Sequence, residues 1–356
     1  MAPVTAPVGG GPVLASMLAA RLYGPWDLRV ERVPVPEPRG GWALVRTVAV
    51  GVCGTDKAMY TGGYRLRRAP LTPGHEAVGV VVSTPPGYEG LVGRLVVPEI
   101  NLVDPGLLWR EPCRSMYTHC PGRRVLGMDV DGAMAEYFVV PVHALHDARG
   151  LEPWRAVFAE PLAAVLRAFT LYPPRPGAPA AVIGSGSLAL LAAQVMERVY
   201  RLRVTVFARR GSPKARVLES IGLRVRWVDE LEEAVAEETP WGLGYEVVFE
   251  ATGSGEGLGL AVEAAAPLAT VHVKSTHGGG AWLPQTRAVV KELRIVGTRC
   301  GTWREFEEAL RLLRERVVEP VVTHRVRGLG NAREAFEKAL ERGSIKVIVE
   351  TGYEPP

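Results

Sequence analysis

The sequence predicts an α/β protein in which an all-β, barrel-like part precedes a doubly wound parallel sheet. From Leu18 to about Val140, short β-like runs are broken by Gly and Pro, the texture of a barrel. Beyond the breaker Pro173-Pro174-Arg175-Pro176-Gly177, apolar strands alternate with helices, which implies parallel pairing with crossover helices. The run Gly184-Ser185-Gly186-Ser187-Leu188-Ala189 then sits where the first of those strands turns into a helix.

In chain order, β-like runs cover Ala43–Val50, Ala77–Val82 and Arg94–Val97. Trp154–Leu171 is rich in Ala and Leu at helical spacing and ends at the proline breaker. The second part reads Ala180–Ile183 (strand), Leu188–Tyr200 (helix), Arg203–Ala208 (strand), Lys214–Ile221 (helix) and Arg224–Val228 (strand). Tyr245–Glu250, a helix from Leu258 to Ala265, and Thr270–Val273 follow. The chain closes with Thr302–Arg314 (helix), Val321–Val326 (strand), Asn331–Arg342 (helix) and Ile345–Val349 (strand). No internal repeat is visible.

A chain of 356 residues has room for two hydrophobic cores. A net charge of +4 with scattered arginines leaves no footprint for nucleic acid. Arg outnumbers Lys 36 to 6. Four cysteines (Cys53, Cys113, Cys120, Cys300) are too few for a disulfide scaffold. Metal ligation in a reducing cytosol is the preferred reading, and a Cys113–Cys120 disulfide stays open. No apolar run reaches a membrane span, and the patch Val13–Ala20 lacks the basic flank of a signal peptide. A cytoplasmic protein is therefore expected, with no membrane or nucleic-acid partner. Residues 1–16, rich in Pro, Gly and Ala, read as a flexible extension, with Met17 an alternative start.

The glycine turn has a physical use. Gly184 permits the tight turn, Gly186 lets backbone approach a pyrophosphate, and Ala189 allows close helix–strand packing. The helix start at Ser187 and Leu188 supplies amides and positive dipole to phosphates. At the end of the next strand an NAD site would place a carboxylate. This chain has Arg209-Arg210-Gly211-Ser212 instead, and two guanidiniums suit a 2′-phosphate, which favours NADP.

A second constellation lies upstream: Gly51-Val52-Cys53-Gly54-Thr55-Asp56, then Gly74-His75-Glu76. A catalytic zinc needs about three protein ligands and an open position, and Cys53, His75 and a carboxylate would supply them. Thiolate and carboxylate neutralise the ion while leaving it able to lower the pKa of a bound alcohol. Thr55 is placed to carry the alcohol proton outward, and Asp56 to orient the ligand histidine through its other nitrogen. Each residue alone has a bland reading: a core thiol, a turn, a helix start. Together, ahead of a dinucleotide turn, they favour a metal beside a nicotinamide.

Gly-Val-Cys-Gly-Thr-Asp, Pro-Gly-His-Glu, Glu160-Pro161-Leu162-Ala163 and the glycine turn resemble the zinc-dependent medium-chain dehydrogenase/reductase superfamily, from about Leu18 to Glu350. The Glu-Pro-Leu form is most similar to the polyol and glucose dehydrogenase branches. The resemblance implies a GroES-like β-barrel catalytic domain over 17–163 and 300–356, flanking a Rossmann domain over 164–299. It implies one zinc on Cys53, His75 and Glu160, with Glu76 exchanging with water. Glu250-Ala251-Thr252-Gly253 matches the family strand along the cofactor cleft, which adds Thr252 and Gly253 to the cofactor site. A homodimer or homotetramer is the family expectation.

Many relatives carry a second, structural zinc on four closely spaced cysteines. The stretch Asn101–Cys120 keeps only Cys113 and Cys120, with Asp104, Glu111 and His119 as improvised ligands. The second zinc is therefore expected to be lost, the lobe packing through Leu108 and Trp109. His272, Lys274, Ser275, His277 and Gly278–Gly280 read equally as a solvated loop or as cofactor neighbours, and Cys300 as an ordinary buried thiol. Substrate specificity is expected in loops around Tyr60, Trp109 and 276–283.

The reading is a zinc-dependent oxidoreductase moving hydride between an alcohol or polyol, or a sugar, and NADP. Two alternatives remain: a metal-free enone or quinone reductase of the same fold, told apart by bound metal, and a non-catalytic nicotinamide-cofactor-binding protein, told apart by absent turnover.

Overall fold

The computed structural model describes residues 16–276 and 278–353. Of the extension expected over 1–16, residues 1–15 lie outside the described residues, as does His277, while Ser16 belongs to a strand.

Two main sheets organise the molecule. Six parallel strands lie in the order Val225–Trp227, Arg203–Ala208, Pro179–Ile183, Tyr245–Glu250, Ala265–Val273, Arg294–Gly297. The order reverses at Pro179–Ile183, so a crevice opens at the carboxyl ends of the central strands, where such sheets bind ligands. These strands are near-continuous apolar runs because helices cover both faces. Pro179–Ile183, for example, is buried along its whole length.

The other sheet has seven strands and draws on both ends of the chain. His324–Arg327, Val347–Glu350, Trp42–Gly51, Glu76–Ser83, Leu95–Pro98 and Leu145–Asp147 follow one another, and Tyr137–Pro141 also pairs with Trp42–Gly51. Val347–Glu350 runs antiparallel to Trp42–Gly51 with Ile348 opposite Gly51. This register carries the C-terminal strand to the back of the Cys53 motif.

Helix Ala159–Leu171 ties the two sheets together, since its residues share one apolar cluster with Val48, Val78 and Val182. Pro161 is tolerated there because it lies in the first turn, where an amide needs no intrahelical acceptor.

Most sequence-read elements appear within a residue or two, and four differ for physical reasons. The expected helix Trp154–Leu171 is two, Pro153–Ala156 and Ala159–Leu171. The helix from Leu188 starts at Ser187 and passes at Val195–Val199 into a π-helical turn. The strand expected at Val321–Val326 is His324–Arg327, because pairing begins where His324 faces Val347. A helix, Gly54–Thr61, was not foreseen inside the β-rich stretch: Asp56 caps Cys53 N–H at 2.9 Å and Gly62 closes the other end in the left-handed conformation.

Cys113 and Cys120 are bonded to each other, the alternative left open beside metal ligation. Their sulfurs pack against Val103, Leu107, Leu108 and Tyr117. Trp109 does not join them: it is 84% exposed, because its neighbours turn it outward over the small lobe. Among the described residues, no helix is long and apolar enough to cross a membrane.

Candidate active site

One cleft of roughly 1200 Å³ lies between the two sheets and collects nearly all the sequence-predicted site residues. Cys53, Thr55, His75, Glu76 and Glu160 line it, as do Gly184, Gly186, Ser187, Leu188, Arg209, Thr252 and Gly253.

The donor cluster is assembled from three places. Cys53 caps a helix, His75 immediately precedes a strand that Glu76 begins, and Glu160 sits in the first turn of Ala159–Leu171. Ligand atoms of Cys53, His75 and Glu76 lie within 4.8 Å of one another, the one group of three metal-type donors among the described residues. Glu160 lines the same cleft outside that group, so the two glutamates stand in the opposite order of proximity to that expected. An added Cβ on Gly51 would lie 2.6 Å from Glu76 Oε2, so only glycine leaves this carboxylate its place.

The cluster is buried and rich in negative charge. Burial pushes the Glu160 carboxyl up to about 7, with Glu76 adding to the rise and His75 and Lys346 opposing it. Burial likewise raises Asp56. His75 moves well upward despite a burial term that opposes it, because Asp56 and Cys53 face the ring. His75 Nδ1 and Asp56 Oδ1 stand 3.8 Å apart and neither has a hydrogen-bond partner. Thiol, imidazole and carboxylates around one point, with so few cations to balance them, fit a divalent metal such as zinc.

One cation does reach them, and the sequence reading missed it. Lys346, buried to 4%, forms an ion pair with Glu76 Oε2. A lone lysine inside the apolar run Ile345–Val349 was the available signal.

The cofactor end is built by backbone. Gly184 has φ +128°, and a Cβ there would meet Ala251 O at 2.6 Å, so only glycine makes this turn. Ser187 Oγ, at the start of helix Ser187–Gln194, is buried without a partner and faces the cleft, as a phosphate-binding hydroxyl would. Glu250 Oε1 accepts from Thr252 N (2.8 Å), Thr252 Oγ1 (2.6 Å) and Ser275 Oγ (2.7 Å). Ser275 Oγ in turn accepts from Gly253 N at 2.7 Å, so Ser275 shapes this rim.

Arg210 is a correction. It turns from the cleft to Asp229 (2.7 Å) and Glu230 (2.9 Å), whose carboxylates capture it across the next strand-to-helix connection. Arg209 stays in the cleft, joined by Lys57 and by Lys214, whose pKa is lowered first by burial and then by Lys57 and Arg209. No acidic side chain follows strand Arg203–Ala208 before Lys214.

Two further expectations change. Tyr60 is 1% exposed and sits edge-on to Trp26 and Phe336, so neither it nor Trp109 lines the cleft, whereas Thr276 and Trp282 do. Cys300 is no ordinary buried thiol: half-buried, it lines the cleft and donates to Asn101 Oδ1 at 3.0 Å.

Comparison with known proteins agrees with this architecture. Residues 39–150 match the alcohol dehydrogenase GroES-like domain, and residues 157–351 match the glucose dehydrogenase C-terminus. The chain is 32% identical over 323 residues to the glucose 1-dehydrogenase of Thermoproteus tenax, covering 82% of this chain and 85% of that protein. It is 28% identical over 349 residues to the L-threonine 3-dehydrogenase of Pyrococcus abyssi, covering 94% and 98%. The alcohol dehydrogenase TADH from Thermus sp. ATN1 superposes with a TM-score of 0.85 at 26% identity, covering 94% of this chain and 99% of that one.

Proposed function

Because the chain belongs to the zinc-type alcohol and polyol dehydrogenases of the medium-chain dehydrogenase/reductase family, we propose that it moves hydride between the CH–OH group of an alcohol, polyol or sugar and NADP(H). The observation that carries the reading is the convergence of Cys53, His75, Glu76 and Glu160 on the same cleft as the glycine turn. Residues 17–163 with 300–356 form the catalytic part in this reading, and 164–299 the cofactor-binding part.

When bound, zinc supplies the Lewis acidity that makes a hydroxyl acidic, and the nicotinamide supplies the hydride acceptor. Cys53, His75 and Glu76 would hold the ion, with Glu160, which lines the same cleft, as the carboxylate that takes or yields a position. Thr55 lines the cleft two residues beyond Cys53 and starts the route by which the alcohol proton leaves. Asp56 sets the orientation of His75 from behind. Ser187 and the amides at the start of its helix take the pyrophosphate. Arg209 and Lys214, with no competing carboxylate, take the 2′-phosphate, which supports NADP over NAD.

Elemental analysis of tag-free protein, combined with a screen of alcohols, polyols and sugars against NADP and NAD, tests the proposal. About one zinc per chain and Cys53-dependent reduction of NADP are expected. Metal-free protein that stays without metal after reconstitution, yet reduces enones, would overturn it.

A further inference from the structure

The cleft has a wall that the proposed chemistry does not use. Arg123, Arg299 and Cys300 line it beside Ile100, Val125 and Met128. The other cations of this cleft have partners or a role: Arg67 pairs with Asp129 at 2.6 Å, Lys346 pairs with Glu76, and Lys274 Nζ spends its protons on Thr298 O, Thr298 Oγ1 and Arg299 O. Arg123 instead gives Nε to Asn101 Oδ1 at 2.6 Å and Nη2 to Cys300 Sγ at 3.4 Å. Among the described residues neither it nor Arg299 has a carboxylate partner.

The two guanidiniums also lie close enough to feel each other. Burial lowers the Arg123 pKa and the Arg299 charge lowers it further, against the upward pull of Cys300. Arg123, half-buried, and Arg299, exposed, thus offer an oxyanion in this cleft two charged donors on one wall.

Arg123 is held in place for such a task. Its backbone N–H bonds Cys120 O at 2.9 Å, which anchors it to the disulfide lobe. Asn101, which holds its Nε, is itself fixed by donating Nδ2 to Gly301 O at 2.9 Å. Gly301 in turn packs on Ala163, three residues after Glu160, with room for no Cβ. The Gly301–Ala163 contact sets this wall against the helix that carries Glu160.

We propose that the alcohol substrate carries an oxyanion, a carboxylate or a phosphate, that Arg123 and Arg299 grip while its carbinol carbon faces the Cys53–His75–Glu76 cluster. This assignment rests on the dehydrogenase reading above and narrows its substrate class to hydroxy acids and phosphorylated polyols. Arginine suits the role because its planar fork meets either oxyanion bidentately, whereas a neutral polyol would leave both charges uncompensated.

The test is a steady-state comparison of matched substrates on zinc-loaded protein with NADP: glucose, gluconate and glucose 6-phosphate, and 1,3-butanediol against 3-hydroxybutyrate. The anionic member of at least one set is expected to exceed its neutral counterpart at least about tenfold in kcat/KM. Arg123→Gln and Arg299→Gln should each raise KM for that substrate about 10- to 100-fold, a loss much larger than for any neutral alcohol. Arg123→Lys should recover part of it. The preferred anion separates a carboxylate from a phosphate. Neutral alcohols turned over as well as their anionic partners, or variants that weaken only NADP binding, would overturn the proposal and leave the dehydrogenase reading standing. Calorimetric titration of malonate and of inorganic phosphate into NADPH-loaded protein separates the two ideas should nothing turn over. Arginine-dependent binding would then keep the anion site and sink the dehydrogenase reading, and its absence would sink the anion site.

Discussion

Lys346 and Glu76 form a buried ion pair across 270 residues of sequence, each less than 5% exposed. The pair fastens the C-terminal strand to the metal-type donor cluster. Removing one partner strands the other charge in the interior. Lys346→Met is expected to destabilise chelator-treated protein by about 3–5 kcal/mol. The double variant Lys346→Met/Glu76→Gln should recover most of that loss, since it leaves no isolated charge. Thermal or denaturant unfolding of the metal-free proteins checks both. Equal losses in the single and double variants would show that the pair is not what holds the strand.

Asp56 stands behind His75 and caps Cys53 N–H, so it touches two of the donors without being one of the group. Asp56→Asn keeps the size of the side chain and removes its charge. Zinc affinity, measured by competition with a chromophoric chelator, is expected to fall about 10- to 100-fold. An unchanged affinity would mean that packing alone orients the histidine.

The arginine pair after strand Arg203–Ala208 divides its work. Arg209 faces the cleft, and Arg210 is tied to Asp229 and Glu230. Arg209→Ala should raise KM for NADP about 10- to 100-fold while altering NAD kinetics little, as the loss of a charge-assisted contact predicts. Arg210→Ala should change neither. A reversed pattern would show that Arg210 leaves its carboxylates when cofactor binds.

His272 gives the fold a pH dependence of predictable sign. Both ring nitrogens lack hydrogen-bond partners, and the ring lies among Phe169, Tyr172 and Phe249. Burial, with Lys274 adding, lowers its pKa from 6.5 to about 4. Between those values the unfolded chain takes up a proton that the folded one refuses, so stability falls as pH drops through this window. The loss approaches about 3 kcal/mol near its lower end. His272→Phe should remove that share, and the difference in unfolding free energy between the two proteins, followed from pH 7.5 to about 4.5, isolates it from the titrations at the metal-type donors, which both proteins share. Parallel curves would refute it.

Much of this molecule is readable from local pattern. The strand–helix alternation after Pro176 and the turn at Gly184 depend on residues near one another in the chain, so period and glycine placement reveal them. Cys53, His75, Glu76 and Glu160 were legible as metal-type donors because their residue chemistry differs from that of a core. Helix Gly54–Thr61 was not, since its cap and closing glycine lay inside a motif read for its chemistry.

Local pattern stops at partners drawn from distant segments. Whether Arg209 or Arg210 faces the cleft depends on where Asp229 and Glu230 lie. Whether Cys113 and Cys120 bond to each other or bind metal depends on how a small lobe closes over Val103. The sequence by itself determined the sheet type, the glycine turn and the residue types that meet in the cleft, all encoded within a few residues. Only the tertiary structure decided which glutamate joins Cys53 and His75 in one cluster, that Lys346 answers Glu76, and that Arg123 and Arg299 line one cleft. Those outcomes follow from strand register and sheet order, which bring together side chains that no spacing along the chain relates.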